Sequence, residues 1–300
     1  MTNFTNQYVP SIGLGTYNMS SEEAEFTTFH ALKHGYRHID TAAVYRNEDG
    51  VAKGVKTYLN DSDLKREDIF ITTKLWPGGL VKVDRIKDYT GTVKSFEKSL
   101  MRLSLDYIDL YLIHSPHGKS KRLEQWRALV DLKEAGKIKY IGVSNWGINH
   151  LSELKENDLP MPDANQIELH PWSQKPELVK FLRNEKIDII AYSSLVPLST
   201  WRHKDGENSK KTNEMHEIGL SENSPFKILA EKYDVTEAQF LLKWAVQNNY
   251  AVLPKSINIE RVKQNFELNF LIDQSDMEYI TTLDKGDSIT WEYGDPLKVK

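Results

Sequence analysis

The run YIDLYLIH at 107–114, a helical pattern over 122–135 and the short run IGVSN at 141–145 together decide the fold. A short apolar run that ends in a polar residue reads as a buried strand, and the amphipathic stretch behind it reads as a helix. Strand, helix and strand in this order make two parallel strands joined by a crossover. The same unit recurs in both directions along the chain. SIGLGT (11–16), RHID (37–40) and IFITTKL (69–75) precede it, and ANQIEL (164–169), IDIIAYS (187–193) and AVLPKS (251–256) follow. Helical patterns fall between them: one after the capping pattern Ser20-Ser21-Glu22-Glu23, then 48–59, 90–103, 148–155, 176–185, 236–248 and 259–266. Eight strand-helix units fit the ~250 residues of a closed (β/α)8 TIM barrel. A doubly wound sheet usually has fewer strands and carries a Gly-rich first turn. The expected architecture is therefore one barrel domain spanning 1–300.

The interval from Tyr192 to Pro254, 62 residues, exceeds one unit. It holds an extra helix near 225–233 and a polar, charge-mixed stretch at 196–224, a lid-like loop after the seventh strand. That stretch fits a lid over a ligand and a tolerated surface insertion equally well. A short helix near 275–285 and a tail to Lys300 lie outside the eight units.

Composition narrows the chemistry. The chain has 300 residues, 39% of them hydrophobic, with 39 basic and 43 acidic side chains, which excludes disorder. A net charge of -4 and no basic run longer than Lys210-Lys211 point away from nucleic acid. No apolar stretch approaches the ~18 residues of a membrane span, and MTNFTNQYVP has no basic-then-apolar signal, so a cytoplasmic protein is expected. Zero cysteines remove thiolate metal sites, iron-sulfur clusters and cysteine nucleophiles.

In such a barrel the active site lies at the carboxyl ends of the strands. Three consecutive strands end in Asp40, Lys74 and His114, and Tyr45 lies five residues beyond Asp40. A free tyrosine has a pKa of about 10, and a nearby ammonium stabilises its phenolate. Lys74 fits that task with Asp40 fixing the amine, while His114 can hold a carbonyl oxygen beside the phenol. Each residue alone fits a cap, an ion-pair partner or rim packing. The four together, with no competing cysteine or metal cluster, favour catalysis.

HIDTAAVYRNE at 38–48, YIDLYLIH at 107–114 and LPKSINIERVKQN at 253–265 identify a resemblance. In this order, with GLGTY, TKLW, IGVSN and NQIELHP between them, the chain resembles the aldo-keto reductase superfamily along nearly its whole length. The resemblance implies a (β/α)8 barrel that binds NAD(P)H in extended form without a Rossmann domain. It implies a catalytic tetrad of Asp40, Tyr45, Lys74 and His114, with Tyr45 as the acid when a carbonyl takes up hydride. Ser144, Asn145 and Gln166 match residues that hold the nicotinamide carboxamide, and Tyr192 matches the ring that stacks on it. Gly15, Thr16, Tyr17, Ser193 and Leu195 fall at neighbouring cofactor positions. Lys255, Ser256 and Arg261 match the cluster at an adenosine 2′-phosphate, which implies NADPH, with NADH as a weaker alternative. Asn265 matches an adenine contact, and Gln264 replaces a common acid there.

Three departures concern the substrate. Ser115 and Tyr17 stand where many members carry tryptophan, leaving Trp76 as the aromatic expected to touch substrate. The stretch Ser115 to Lys121 is short, so a more open pocket is expected. The hairpin that usually closes the barrel bottom must fit before Ser11. Gly13-Leu14-Gly15 lacks a third glycine at dinucleotide-loop spacing and reads as a barrel strand near the cofactor. His30 and His34, four apart on one helix, lack a third ligand and read as a solvated helix face, so no metal is expected. His117, His203 and His216 lie in loops without an assigned part. Trp126, Phe240 and Trp244 read as packing residues. The expected activity is NADPH-dependent reduction of an aldehyde or ketone. The rival, from a different class, is an NADPH-binding regulatory barrel with little turnover.

Overall fold

A computed structural model describes residues 8–81, 83–198, 217, 221, 223–286, 290–291 and 294–300. Eight strands form one sheet in chain order, each parallel to its predecessor: β1 (Gly13–Gly15), β2 (His38–Asp40), β3 (Phe70–Leu75), β4 (Ile108–Ile113), β5 (Ile138–Ser144), β6 (Ala164–Glu168), β7 (Asp188–Tyr192) and β8 (Ala251–Val252). A parallel bridge between Ile12 and Val252 joins β8 to β1, reinforced by Val252 N–H to Ser11 O at 2.9 Å and Gly15 N–H to Pro254 O at 3.1 Å. The sheet thus closes on itself at this seam, in the barrel that eight strand-helix units favoured.

The helices are α1 (Ser21–Lys33), α2 (Glu48–Asn60), α3 (Tyr89–Leu103), α4 (Arg122–Glu134), α5 (Ile148–Glu156), α6 (Pro176–Asn184), α7 (Pro225–Lys232), α8 (Glu237–Gln247), α9 (Ile259–Phe266) and α10 (Gln274–Thr281). Each expected helix is present to within one or two residues at most ends. Local chemistry explains several starts. Ser20 and Glu23 form a reciprocal capping box on α1, Thr236 and Gln239 do so on α8, and Asn258 accepts from Arg261 N–H at α9.

Alternation along the strands divides the core. Odd-numbered residues such as Ile39, Ile71, Tyr111, Ile113, Val143 and Ile167 face outward into the helices, where Leu32, Val55, Phe96, Trp126, Phe240 and Trp244 meet them as buried packing residues. Leu110, Leu112, Ala164 and Ile190 fill the barrel interior, and Val9 closes its floor. The backbone N–H groups of Tyr8 and Val9 both donate to Asp188 Oδ2, at 2.8 and 3.0 Å, and Tyr8 stacks on Tyr140. The expected hairpin before Ser11 otherwise lies outside the described residues. His30 packs against the rings of Phe26 and Phe29.

Two expectations at strand ends are adjusted. β5 begins at Ile138, earlier than the run from Ile141, because Lys139 points outward at the rim and disguises the strand in the sequence. β8 is only two residues long, since Leu253 and Pro254 already turn towards β1. The lid-like stretch begins as a short 3-10 turn at Val196–Leu198; most of its remainder, with His203 and His216, lies outside the described residues.

Candidate active site

Asp40, Lys74, His114, Ser144, Gln166 and Tyr192 are even-numbered, so all six share the inward face at the carboxyl end of the barrel. Lys74 Nζ donates to Asp40 Oδ1 at 2.5 Å and to Thr41 O at 2.9 Å. Gln166 Nε2 donates to the other oxygen of Asp40 at 2.8 Å. Lys74 has no solvent exposure and Asp40 only 3%. Burial pushes the Asp40 carboxyl up and the Lys74 amine down, and their mutual attraction opposes both shifts.

Tyr45 reaches this layer on a loop that is itself built in. A 3-10 turn, Ala43–Tyr45, ends in Arg46 at φ 59°, and the buried Asn47 then ties the loop down. Asn47 accepts from Thr41 Oγ1 at 2.8 Å and donates to Thr16 O and Met19 O at 2.8 and 3.0 Å. Glu48, also buried, accepts from Thr73 Oγ1 at 2.6 Å and pairs with Arg102. The result puts Lys74 Nζ 5.0 Å from the Tyr45 ring centre, with the His114 ring 5.6 Å away and edge-on at 75°. Burial of the imidazole, and then the Lys74 charge, hold His114 well below its ordinary value, so it is neutral near pH 7.

Tyr17 packs on Tyr45 at 5.0 Å, and Trp76 stands edge-on to His114 at 5.7 Å. Ser115 is fully buried and its hydroxyl meets His117 Nδ1 at 3.0 Å. The stretch after it is no open loop. Pro116, His117 and Gly118 are buried in a 3-10 turn, and the His117 ring stacks on Trp291 at 5.6 Å. The far end of the chain therefore packs beside this stretch.

Trp291 and its neighbours are the residues that sequence reasoning missed. Thr290 donates through N–H and Oγ1 to the buried Glu168, at 3.1 and 2.8 Å, and Glu168 also meets His170. Trp291 Nε1 donates to the Tyr192 hydroxyl at 2.8 Å. Further along, His150 accepts from Gly147 N–H and donates to Val299 O. A lone tryptophan beyond the last helix was the available signal.

The positions expected to hold the cofactor form two groups. At the strand ends, Ser144 Oγ donates to Gln166 O, Asn145 Nδ2 donates to His114 O, and Tyr192 donates to Asn145 Oδ1 at 2.6 Å. One hydroxyl and two amides side by side suit an amide ligand that both donates and accepts. Thr16 is less available, since its N–H and its hydroxyl both donate to Asp40 O at 3.0 Å. Gly15 N–H donates to Pro254 O just past β8, Ser193 has φ 56° and Leu195 is half-buried in the turn after β7. In the second group, Lys255 and Arg261 are exposed beside the N-terminus of α9, and among the described residues neither makes an ion pair. With Ser256 between them, this donor set fits a phosphate dianion. Gln264 is exposed and Asn265 buried on the same helix. Among the described residues no cluster of three or more His, Asp or Glu is placed to hold a metal ion.

Comparison with known proteins agrees with this layout. The model of the aldo/keto reductase family matches residues 11–285. The chain is 38% identical to glyoxal reductase of Bacillus subtilis, over 94% of this chain and 91% of that one. It is 35% identical to methylglyoxal reductase DkgA of Yersinia pestis, over 94% and 92%. A Bombyx mori aldo-keto reductase solved in complex with NADP superposes with a TM-score of 0.81 at 29% identity, covering 96% of this chain and 95% of that one. An eight-stranded parallel barrel with Asp, Tyr, Lys and His gathered at one mouth, matched along nearly its whole length by such relatives, places the chain in the aldo/keto reductase family.

Proposed function

We propose that Tyr45 is the proton donor for carbonyl reduction, with Lys74 as its electrostatic tuner, Asp40 as the anchor of Lys74, and His114 as the group that holds the carbonyl oxygen. The protein is an NADPH-dependent oxidoreductase that converts an aldehyde or ketone to an alcohol. One observation carries the assignment of roles: a fully buried lysine, held by Asp40 at 2.5 Å, lies 5.0 Å from the centre of the Tyr45 ring. An ammonium at that range favours the phenolate left when the proton departs. The neutral His114 keeps one ring N–H as a donor, so negative charge growing on the carbonyl oxygen meets both a phenol and an imidazole. Bound NADPH supplies the hydride. Ser144, Asn145, Gln166 and Tyr192 hold and orient its nicotinamide, and Lys255, Ser256 and Arg261 hold its 2′-phosphate.

The substrate class is a short aldehyde with an adjacent carbonyl. The glyoxal and methylglyoxal reductases among the relatives support this. So does a mouth narrowed by Trp76 on one wall and the His117–Trp291 stack on another. The chain acts as one domain spanning 1–300 in the cytoplasm, without a nucleic-acid partner; a net charge of -4 supports the last of these. Among the described residues no helix is long and apolar enough to cross a membrane. The regulatory-barrel reading has no observation in its favour.

Tyr45→Phe removes the transferable proton and little else. Its kcat falls about 10² to 10⁴-fold while NADPH affinity, read by fluorescence titration, stays within about twofold. A mutant that keeps more than about a tenth of wild-type kcat rejects Tyr45 as the donor. A panel of glyoxal, methylglyoxal, aromatic aldehydes and aldoses tests the substrate class. The two dicarbonyls give the highest kcat/KM; aldoses ranking first overturn the class.

A further inference from the structure

Trp76 follows the last residue of β3, Leu75, and its indole stands edge-on to the His114 imidazole at 83°. Tyr45 stands edge-on to the same imidazole. The Nδ1 atom of His114 is buried and, among the described residues, has no hydrogen-bond partner. That nitrogen therefore does not fix the ring; contacts with the neighbouring aromatic rings do. Such a contact holds a ring only as well as its partner is itself held, and an indole turns about its side-chain bonds unless its N–H is engaged.

The indole of Trp76 is engaged from its own loop. Asp84 Oδ2 accepts from Trp76 Nε1 at 2.7 Å, and Lys87 Nζ donates to the Trp76 carbonyl oxygen at 2.6 Å. Both ends of the residue are gripped, the ring by a charge-assisted bond. The loop that presents Asp84 is well tied. Gly78 and Gly79 turn with φ of 81° and 84°, where an added Cβ would lie 2.2 Å from Arg85 O and 2.4 Å from His117 O. Gly79 N–H donates to Asp84 O at 3.0 Å and Lys87 N–H to Pro77 O at 2.9 Å. Gln125 of α4 then donates to Pro77 O and Lys87 O, at 3.2 and 2.8 Å. Asp84 is thus delivered to the indole on a braced turn.

We infer that Asp84 is a positioning residue for carbonyl reduction, locking the Trp76 indole through its N–H and, through that ring, the His114 imidazole. This rests on the reading of Trp76 and His114 as substrate-facing. Asp84 does not touch the carbonyl itself; its effect passes through one hydrogen bond, and removing either end of that bond removes the same effect.

The experiment is a double-mutant cycle on the full chain with saturating NADPH and methylglyoxal as the probe carbonyl. Asp84→Ala lowers kcat/KM about tenfold, the lower range for a hydrogen bond to a charged group, with the loss carried mainly by KM. NADPH affinity stays within about twofold, since the cofactor positions lie elsewhere. Asp84→Asn keeps an acceptor without the charge and restores kcat/KM to within about threefold of wild type. Trp76→Phe keeps a ring but no N–H, and adding Asp84→Ala to it changes kcat/KM less than about twofold. An undiminished Asp84→Ala loss in the Trp76→Phe background overturns the inference, because the carboxylate then acts by another route. So does an Asp84→Asn that is as impaired as Asp84→Ala, which makes the charge and not the bond responsible. An Asp84→Ala enzyme at wild-type level also overturns it. Trp76→Ala separates this from failure of the underlying reading: if it reduces methylglyoxal like wild type, Trp76 is no substrate wall, whatever Asp84 does.

Discussion

On β2 and β3 two inward-facing layers lie two residues apart and meet burial in opposite ways. In the lower layer His38 Nε2 and Thr72 Oγ1 share a hydrogen bond of 2.9 Å, both residues having no solvent exposure. Burial pushes the His38 imidazole down to about 3, so it stays neutral and the layer carries no charge. In the upper layer Asp40 and Lys74 are as deeply enclosed, yet the layer is an ion pair, with two donors on the carboxylate and two acceptors around the amine. A buried ion pair rarely improves stability over apolar residues of the same size. On the roles proposed above, charge is retained where a proton must move and shed where the barrel only has to be filled.

The largest effect that would sharpen this contrast comes from Lys74→Met. It lowers kcat about 10² to 10⁴-fold and, by leaving Asp40 buried without its partner, destabilises the fold by about 3–5 kcal/mol. Adding Asp40→Asn returns stability to the wild-type level or above, as urea unfolding will read, and activity stays lost. A double variant that regains turnover along with stability breaks the comparison, since the upper layer would then be merely structural.

The lower layer answers to pH. Its folded value of about 3 lies below the ordinary 6.5, so the unfolded chain takes up the proton first as pH falls. Stability from His38 is full above pH 6.5 and is lost as pH falls from there towards 3. The loss amounts to something on the order of 3–5 kcal/mol at the acid end. The buried His114 and His170 are shifted the same way, so His38→Asn flattens the slope of unfolding free energy between pH 7 and 4 without abolishing it. Equal slopes in variant and wild type would remove His38 from the acid response.

Solvated charge supplies a third case. Arg261→Ala weakens NADPH binding by roughly 1.5–3 kcal/mol, barely affects NADH, and the wild-type preference erodes as salt is raised. The ion pair at Lys74 is enclosed, and kcat at saturating cofactor shows no such erosion. Equal losses for both cofactors in the variant would show that Arg261 supports α9 and not a phosphate.

The smallest effect belongs to Gly13. A Cβ there would lie 2.6 Å from His38 Nδ1 and 2.9 Å from Leu253 Cδ2, so the strand needs a glycine to make room for the lower layer. Gly13→Ala costs about 1–3 kcal/mol in thermal unfolding at pH 7 and leaves kcat within about twofold of wild type. A kcat loss as large as that of Lys74→Met would mean that the two layers are not separate.

Particular residues show what was readable before the fold. The capping box of Ser20 and Glu23 is local and present where expected, and β4 follows the apolar run at 107–114. Asp40, Lys74 and His114 were legible because a polar residue ending an apolar run marks the carboxyl end of a barrel strand, and the topology brings those ends together. Lys139 hid the start of β5, since an outward rim residue breaks the apolar pattern without breaking the strand. His117 looked like a loop residue because its partner, Trp291, stands 174 positions away.

By itself the sequence determined the periods, caps and strand ends, and from these the barrel and the four residues at its mouth. These depend on hydrogen bonding and side-chain alternation within a few residues, which the order of amino acids specifies directly. Only the tertiary structure decided how the mouth is walled: Asp84 on Trp76, Trp291 on His117 and Tyr192, and Thr290 on Glu168. Apart from the first, these contacts join segments about 100 residues or more apart, and no local period encodes which distant side chain will fill a given gap. That choice is made by close packing, where each residue's neighbours exist only once the barrel has closed.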